Sequence, residues 1–149
     1  MIEVKRLDVS CYMEEIKSLF AAVFIKEPWN DDWSDPEQLH RYISDLTGNV
    51  NSLSLGLFED GRLAGISLGS VLHWCSGTEY YIFEFCVEEK RQGRGLGSAF
   101  LKKVEQYAKA QQIAAVFLET RRNVPAFAFY QKNGFAELKD YVCLYKGIS

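Results

Sequence analysis

Three groups of residues in this 149-residue chain have types and spacings that suit chemistry. The first is Arg91-Gln-Gly-Arg-Gly-Leu-Gly-Ser98, which places glycines at 93, 95 and 97 between an apolar run and a helical pattern. A strand, a glycine-rich turn and a helix in that order make an anion site, because the free N–H groups of the first helical turn and the helix dipole both point at the turn. The spacing argues against two nucleotide folds. A dinucleotide fingerprint needs G-x-G-x-x-G, and Ser98 stands where its third glycine belongs. A P-loop needs G-x-x-x-x-G-K-[ST], and Lys102 and Lys103 fall too far into the helix.

The second group is a single carboxylate. Tyr80-Tyr-Ile-Phe-Glu-Phe-Cys-Val87 is apolar or aromatic at every position but one, as a strand covered on both faces requires. Burial would raise the pKa of its one charge, Glu84, which suits a general base working near neutral pH. A structural pairing with an arginine is the competing role. The third group lies between Lys26 and Glu37, where Glu27, Asp31, Asp32, Asp35 and Glu37 face one base, with Trp29 and Trp33 interleaved. Carboxylates and aromatic faces both attract ammonium groups. The same Asp and Pro residues also serve as turn and cap formers, with the tryptophans then belonging to the core.

These groups need elements to position them. Residues 2 to 7 suit a first strand, and Tyr12, Ile16, Leu19, Phe20, Val23 and Phe24 recur as one buried helical face. Pro36 opens a second helix with Leu39, Tyr42, Ile43 and Leu46 inward. Residues 53 to 58 and 62 to 72 read as two strands joined by a tight Asp60-Gly61 turn, and 80 to 87 as a central third. A helix is expected from about Ser98 to Gln112, a strand from Ile113 to Glu119, and a helix over 124 to 133 capped by Asn123 and stopped by Gly134. Phe135 to Lys146 would supply the last strand material. The order describes a mixed sheet flanked by helices, in one domain over residues 1–149.

Composition narrows the function classes. Hydrophobic residues make up 48% and charged residues 25%, as in ordinary globular proteins. With 17 basic against 20 acidic residues and no basic block, no nucleic-acid partner is expected. No apolar run approaches the roughly 18 residues of a membrane span, so no membrane partner is expected either. Cys11, Cys75, Cys86 and Cys143 are widely spaced and read as reduced thiols of a cytoplasmic protein. With two histidines, His40 and His73, and no clustered ligands, no metal site is expected.

Two stretches carry a family resemblance. Gln92-Gly-Arg-Gly-Leu-Gly97 resembles the [RQ]-x-x-G-x-[GA] acyl-CoA loop of the GNAT superfamily of N-acetyltransferases, and Phe85-Cys-Val-Glu-Glu-Lys90 resembles the family's fourth strand and lead-in. Asn123-Val-Pro-Ala126-Phe-Ala-Phe-Tyr130-Gln-Lys-Asn-Gly134-Phe135 resembles its second signature, N-x-x-A-x-x-x-Y-x-x-x-G-[FY]. Element order matches over about residues 1 to 146, specific residues only over about 80 to 135.

The resemblance implies an α/β (α+β) fold with a mixed, mostly antiparallel sheet, splayed in the middle and flanked by helices on both faces. It implies acetyl transfer from acetyl-CoA to a primary amine by direct attack. The backbone of Phe85, Cys86 and Val87 would run beside pantetheine and polarise the thioester carbonyl. Gln92, Gly93, Arg94, Gly95, Leu96, Gly97 and Ser98 would hold the pyrophosphate. Asn123 and Tyr130 match positions near the cofactor sulfur, with Tyr130 as general acid. Glu84 would be the base, with His73 and Glu119 as fallbacks. Trp29, Asp31, Asp32 and Trp33 would line the pocket of a small cationic amine. The competing expectations are a non-catalytic acyl-CoA sensor and a protein N-terminal or lysine acetyltransferase; a homodimer is one expected assembly.

Overall fold

The computed structural model describes residues 1–149, which pack into two compact units, Met1–Glu119 and Thr120–Ser149. In the first unit, β1 (Ile2–Arg6), α1 (Val9–Phe24), α2 (Pro36–Thr47), β2 (Ser52–Glu59), β3 (Arg62–Trp74), β4 (Gly77–Val87), α3 (Leu96–Ala110) and β5 (Ala115–Leu118) follow one another. The strands lie in chain order in one five-stranded sheet, antiparallel except where β5 joins β4 in parallel. The α3 crossover accounts for that exception, since a parallel return needs a helix-length connection.

Local chemistry sets the boundaries. Asp8 caps α1 by accepting from the Ser10 N–H, and Asp35 caps α2 by accepting from the Glu37 and Gln38 N–H groups, with Pro36 in its first turn. Asp60 (φ 51°) and Gly61 (φ 82°) are both left-handed, as a two-residue hairpin turn requires. The helix expected from Ser98 starts at Leu96 instead, because the left-handed Gly95 is its N-cap.

Helices cover both faces of the sheet. On one face Ile16, Phe20 and Phe24 of α1 and Leu39, Ile43 and Leu46 of α2 pack with Phe58, Ile66, Leu68 and Cys86. On the other, Phe100 and Val104 of α3 pack with Leu53, Leu55, Leu57, Tyr80, Ile82 and Val87. Burying a side chain such as Phe20 or Phe100 stabilises the fold by about 1.5–3 kcal/mol.

Two irregularities in β4 decide which way its side chains face. β5 pairs with β4 along its whole length, Glu79 to Ile82, and ends there, while β4 runs on to Val87. In the same place Leu68 of β3 faces Glu84 while Gly69 faces Ile82, leaving Phe83 as the extra residue of a bulge. Gly69 is obligatory there, since a Cβ would stand 2.1 Å from the Tyr81 carbonyl oxygen. Side chains alternate along a strand, so an extra residue exchanges the faces. Tyr80 and Ile82 pack on the α3 face before the bulge, and Phe85 and Val87 do so after it. Glu84 and Cys86 are thereby turned toward α1 and α2.

The second unit holds α4 (Pro125–Lys132), followed by Gly134 at φ 91°. Two expectations are corrected there. Val124, not Asn123, is the N-cap residue, and no side chain caps α4; Pro125 already removes one of the N–H groups a cap would serve. Residues 135–149 form no regular element within this unit, which has no second strand for them to pair with.

Candidate functional site

The glycine loop is built on the end of β4. After Val87 a single 3-10 turn, Glu89–Arg91, leads into the loop, and Gln92 Nε2 donates to the Val87 carbonyl at 2.9 Å. Gly93 (φ 80°) and Gly95 (φ 75°) are left-handed, and a Cβ at either would meet nothing within 4 Å. Conformation rather than crowding selects glycine, and the cradle has room for a ligand. No side chain caps α3, so the first-turn N–H groups of Leu96, Gly97 and Ser98 are left to an external acceptor. The Leu96 side chain is buried with α3, so only its amide can serve.

Charge surrounds the loop. The mostly buried Arg91 guanidinium bridges Glu88, at 2.9 Å, and Glu59, which stiffens the lead-in. Arg94 reaches Glu59 at 3.2 Å but is 56% exposed, so exchanging that carboxylate for a phosphate costs little. Phe85 stacks on Phe100 at 4.8 Å, fixing the neighbouring stretch of β4 against α3.

On the opposite face of β4 lies a carboxylate beside an aromatic cluster. The Tyr42 hydroxyl of α2 donates to Glu84 Oε2 at 2.5 Å. Burial raises the Glu84 carboxyl from its ordinary value, the Tyr42 hydrogen bond lowers it in part, and the Asp31 charge raises it again. Burial also raises the Tyr42 phenol, reinforced by Glu84 and Asp31, so it remains a donor at neutral pH. The Cys86 thiol is pushed up by burial and then by Glu84, which makes it a neutral core group rather than a nucleophile. Trp33 stacks on Tyr42 at 5.2 Å, and Phe20 contacts Trp33 at 5.3 Å and Tyr42 at 5.8 Å. Trp33 Nε1 is buried with no acceptor, an N–H that a ligand or water can satisfy.

The structure therefore brings Glu84 and Trp33 together through Tyr42, which the sequence pattern placed only as an inward position of a helix, and sets Asp31 where its charge acts on both Glu84 and Tyr42. Asp32 is exposed, and its carboxylate accepts from the Ser34 N–H at 3.0 Å and hydroxyl at 2.6 Å, bonds that lower its pKa. Trp29 packs on Phe24 at 5.5 Å and, with Val23, Lys26, Glu89 and Gln92, lines a cavity of about 100 Å³ beside the glycine loop. His73 faces Thr78 near the β3–β4 turn, five residues along β3 from Leu68, or roughly 17 Å from the strand position opposite Glu84. Glu119 accepts from the Tyr81 hydroxyl. In the second unit Asn123 is exposed, and the half-buried Tyr130 makes edge contacts with Phe129 and Phe135.

Comparison with known proteins gives a consistent picture. The sequence model of the acetyltransferase (GNAT) family matches residues 13–135. Streptothricin acetyltransferase of Escherichia coli is 31% identical over 96 residues, covering 63% of this chain and 53% of that protein. The chain spans about half the length of the curated relatives it matches. A possible acetyltransferase from Clostridium difficile superposes with a TM-score of 0.82 at 14% identity, covering 100% of this chain and 99% of the other. An aminoglycoside acetyltransferase from an uncultured soil metagenomic sample, solved with sisomicin, superposes with a TM-score of 0.74 at 20% identity, covering 99% and 97%. At these identities the two structures establish a shared fold.

Proposed function

Because the chain belongs to the GNAT family of acetyltransferases, we propose that it moves the acetyl group of acetyl-CoA onto a primary amine by direct attack, and that the acceptor is a small cationic amine. Residues 1–149 are read as one catalytic domain of the cytoplasm. The observation that carries the acceptor assignment is the Glu84 carboxylate held by the Tyr42 hydroxyl beside the Trp33 and Phe20 rings, with the negative charge of Asp31 acting on it. A carboxylate beside aromatic rings, with a second negative charge acting on it, suits an ammonium group. The similarity to streptothricin and aminoglycoside acetyltransferases supports the same class of acceptor.

The chemistry asks for four things, and this chain has a group for each. The loop from Gln92 to Ser98 offers uncapped amides and Arg94 to a pyrophosphate. Backbone at Phe85 to Val87, beyond the end of β5 opposite Ile82, is assigned from the family resemblance to run beside pantetheine and donate to the thioester oxygen. An ammonium cannot attack, so Glu84, with its raised pKa, takes one proton directly or through a water. The neutral amine then adds to the thioester carbonyl, the C–S bond breaks, and Tyr130, assigned from its motif position, protonates the departing thiolate. The extra proton on the new amide nitrogen returns to the Tyr130 phenolate through water. Asn123 is assigned to the cofactor side from the same motif.

The test is calorimetric titration with acetyl-CoA, followed by a thiol-release screen over polyamines, aminoglycosides, amino acids and short peptides. Binding with release on small cationic amines is the expected result. Release only on peptides would transfer the assignment to protein acetylation, binding without release to a sensor, and no binding would overturn the reading. Tyr130→Phe is expected to lower kcat by about 10²-fold with the acetyl-CoA dissociation constant held. An unchanged kcat would remove the acid role.

A further inference from the structure

We propose that Tyr42 is a positioning residue for deprotonation of the acceptor: its hydroxyl fixes the Glu84 carboxylate through Oε2 and leaves Oε1 to meet the amine. The proposal rests on the reading of Glu84 as the base. The geometry comes from three elements. The bulge at Phe83 turns Glu84 toward α2, and Leu39, Ile43 and Leu46 bury α2 on that face of the sheet. The ring of Tyr42 packs in one cluster with Trp33, stacked at 5.2 Å, and Phe20, at 5.8 Å, which restricts the swing of the hydroxyl away from Oε2.

The chemical identity of the partner matters. A buried strand carboxylate usually meets an arginine or lysine, which would cancel its charge and hold its proton affinity low. A phenol orients the carboxylate while adding no charge, so the full negative charge remains for an incoming ammonium. The groups facing Glu84 agree with this. Tyr42 comes from α2, Asp31 from the α1–α2 connection and Cys86 from β4 itself. β3 sets the uncharged Leu68 opposite, and α1 contributes the Phe20 ring to the same cluster. None of these groups is a cation.

Tyr42→Phe keeps the ring and removes the hydroxyl. Two readouts on the full chain test it: a carboxyl-carbon NMR titration of Glu84 without any ligand, and the pH profile of kcat/KM with the amine that releases thiol fastest in the screen. Loss of a donor to the ionised form must move the Glu84 midpoint upward. The acid limb of the rate profile should move with it, leaving kcat/KM about tenfold lower on the acid side, the order expected for one hydrogen bond to a charged group, and near wild type on the alkaline plateau. An unmoved midpoint overturns the proposal whatever the rate does. A midpoint that moves without the rate profile, or wild-type rates in Glu84→Gln, would instead overturn Glu84 as the base. If Tyr42→Phe does not fold, fluorotyrosine at position 42 serves, because its phenol is a stronger donor and should move the midpoint downward; no movement overturns the proposal there too.

Discussion

Gly95→Ala separates the strain of the glycine loop from its use. At φ 75° residue 95 is left-handed, which costs an L-residue with a side chain about 1–2 kcal/mol. The substitution also stiffens the unfolded chain, offsetting about 0.4–1 kcal/mol of that. No atom lies within 4 Å of the added Cβ, so packing contributes nothing. The unliganded loop then has two choices. It can keep its shape, and stability falls by the net strain; or residue 95 can rotate to negative φ, and the Leu96, Gly97 and Ser98 amides leave their positions. In the second case coenzyme A must restore the strained form, and its affinity falls about 5- to 30-fold for 1–2 kcal/mol. Either way the coenzyme-saturated protein bears the strain. The assay is thermal melting with and without saturating coenzyme A, alongside calorimetry with coenzyme A and turnover of acetyl-pantetheine, which lacks the pyrophosphate. The expected result is a saturated variant less stable than saturated wild type, with acetyl-pantetheine turnover unchanged. Equal stability at saturation, or equal losses for both donors, would refute a left-handed Gly95 holding pyrophosphate.

Further outcomes are expected of Glu84, Asp31 and Asp32. Glu84→Gln should lower kcat by about 10²-fold or more and yet raise the melting temperature at pH 7. The fold raises the Glu84 pKa, so its contribution to stability is fully present below the unfolded carboxylate value and is lost as pH rises through the folded one. The glutamine variant escapes that loss, and its advantage should vanish below about pH 4; melting curves equal to wild type at every pH would refute a buried charge. Asp31→Asn removes a charge that raises Glu84 and should move the acid limb of kcat/KM to lower pH, while raising KM for a cationic acceptor about fivefold, for roughly 1 kcal/mol of lost attraction. Asp32→Asn should leave that KM unchanged, since its carboxylate already serves Ser34. Equal responses of the two variants would refute this division.

Residue patterns reported some of these features well and others poorly, for identifiable reasons. The Asp60-Gly61 hairpin, the Asp35-Pro36 helix start and the glycine loop depend on backbone chemistry that a few neighbouring residues specify. Glu84 stood out because an apolar strand contains one charge. Its face did not, because simple alternation groups it with Tyr80 and Ile82, toward α3. The missing step was the bulge, and its only local sign was Gly69 inside a strand pattern, where close backbone approach excludes a Cβ. Tyr42 fits a buried helical position equally well whether or not its hydroxyl has a partner, so spacing alone carried no hint of its bond to a residue 42 positions away. Asn123 illustrates the reverse error: a favoured capping type stands beside a helix whose N-cap position is Val124 and which no side chain caps.

The bulge at Phe83 has an evolutionary consequence. Past it, one short segment of β4 serves two neighbourhoods: Phe85 stacks on Phe100 beside the glycine loop, while Glu84 turns to Tyr42, with Asp31 close by. Sequence drift in the α1–α2 connection can therefore reshape one neighbourhood while the other stays under separate selection. Transplanting residues 25–35 from another chain of this family should alter the surroundings of Glu84 and leave the glycine loop unchanged, an outcome that coenzyme A affinity alongside a Glu84 titration would read.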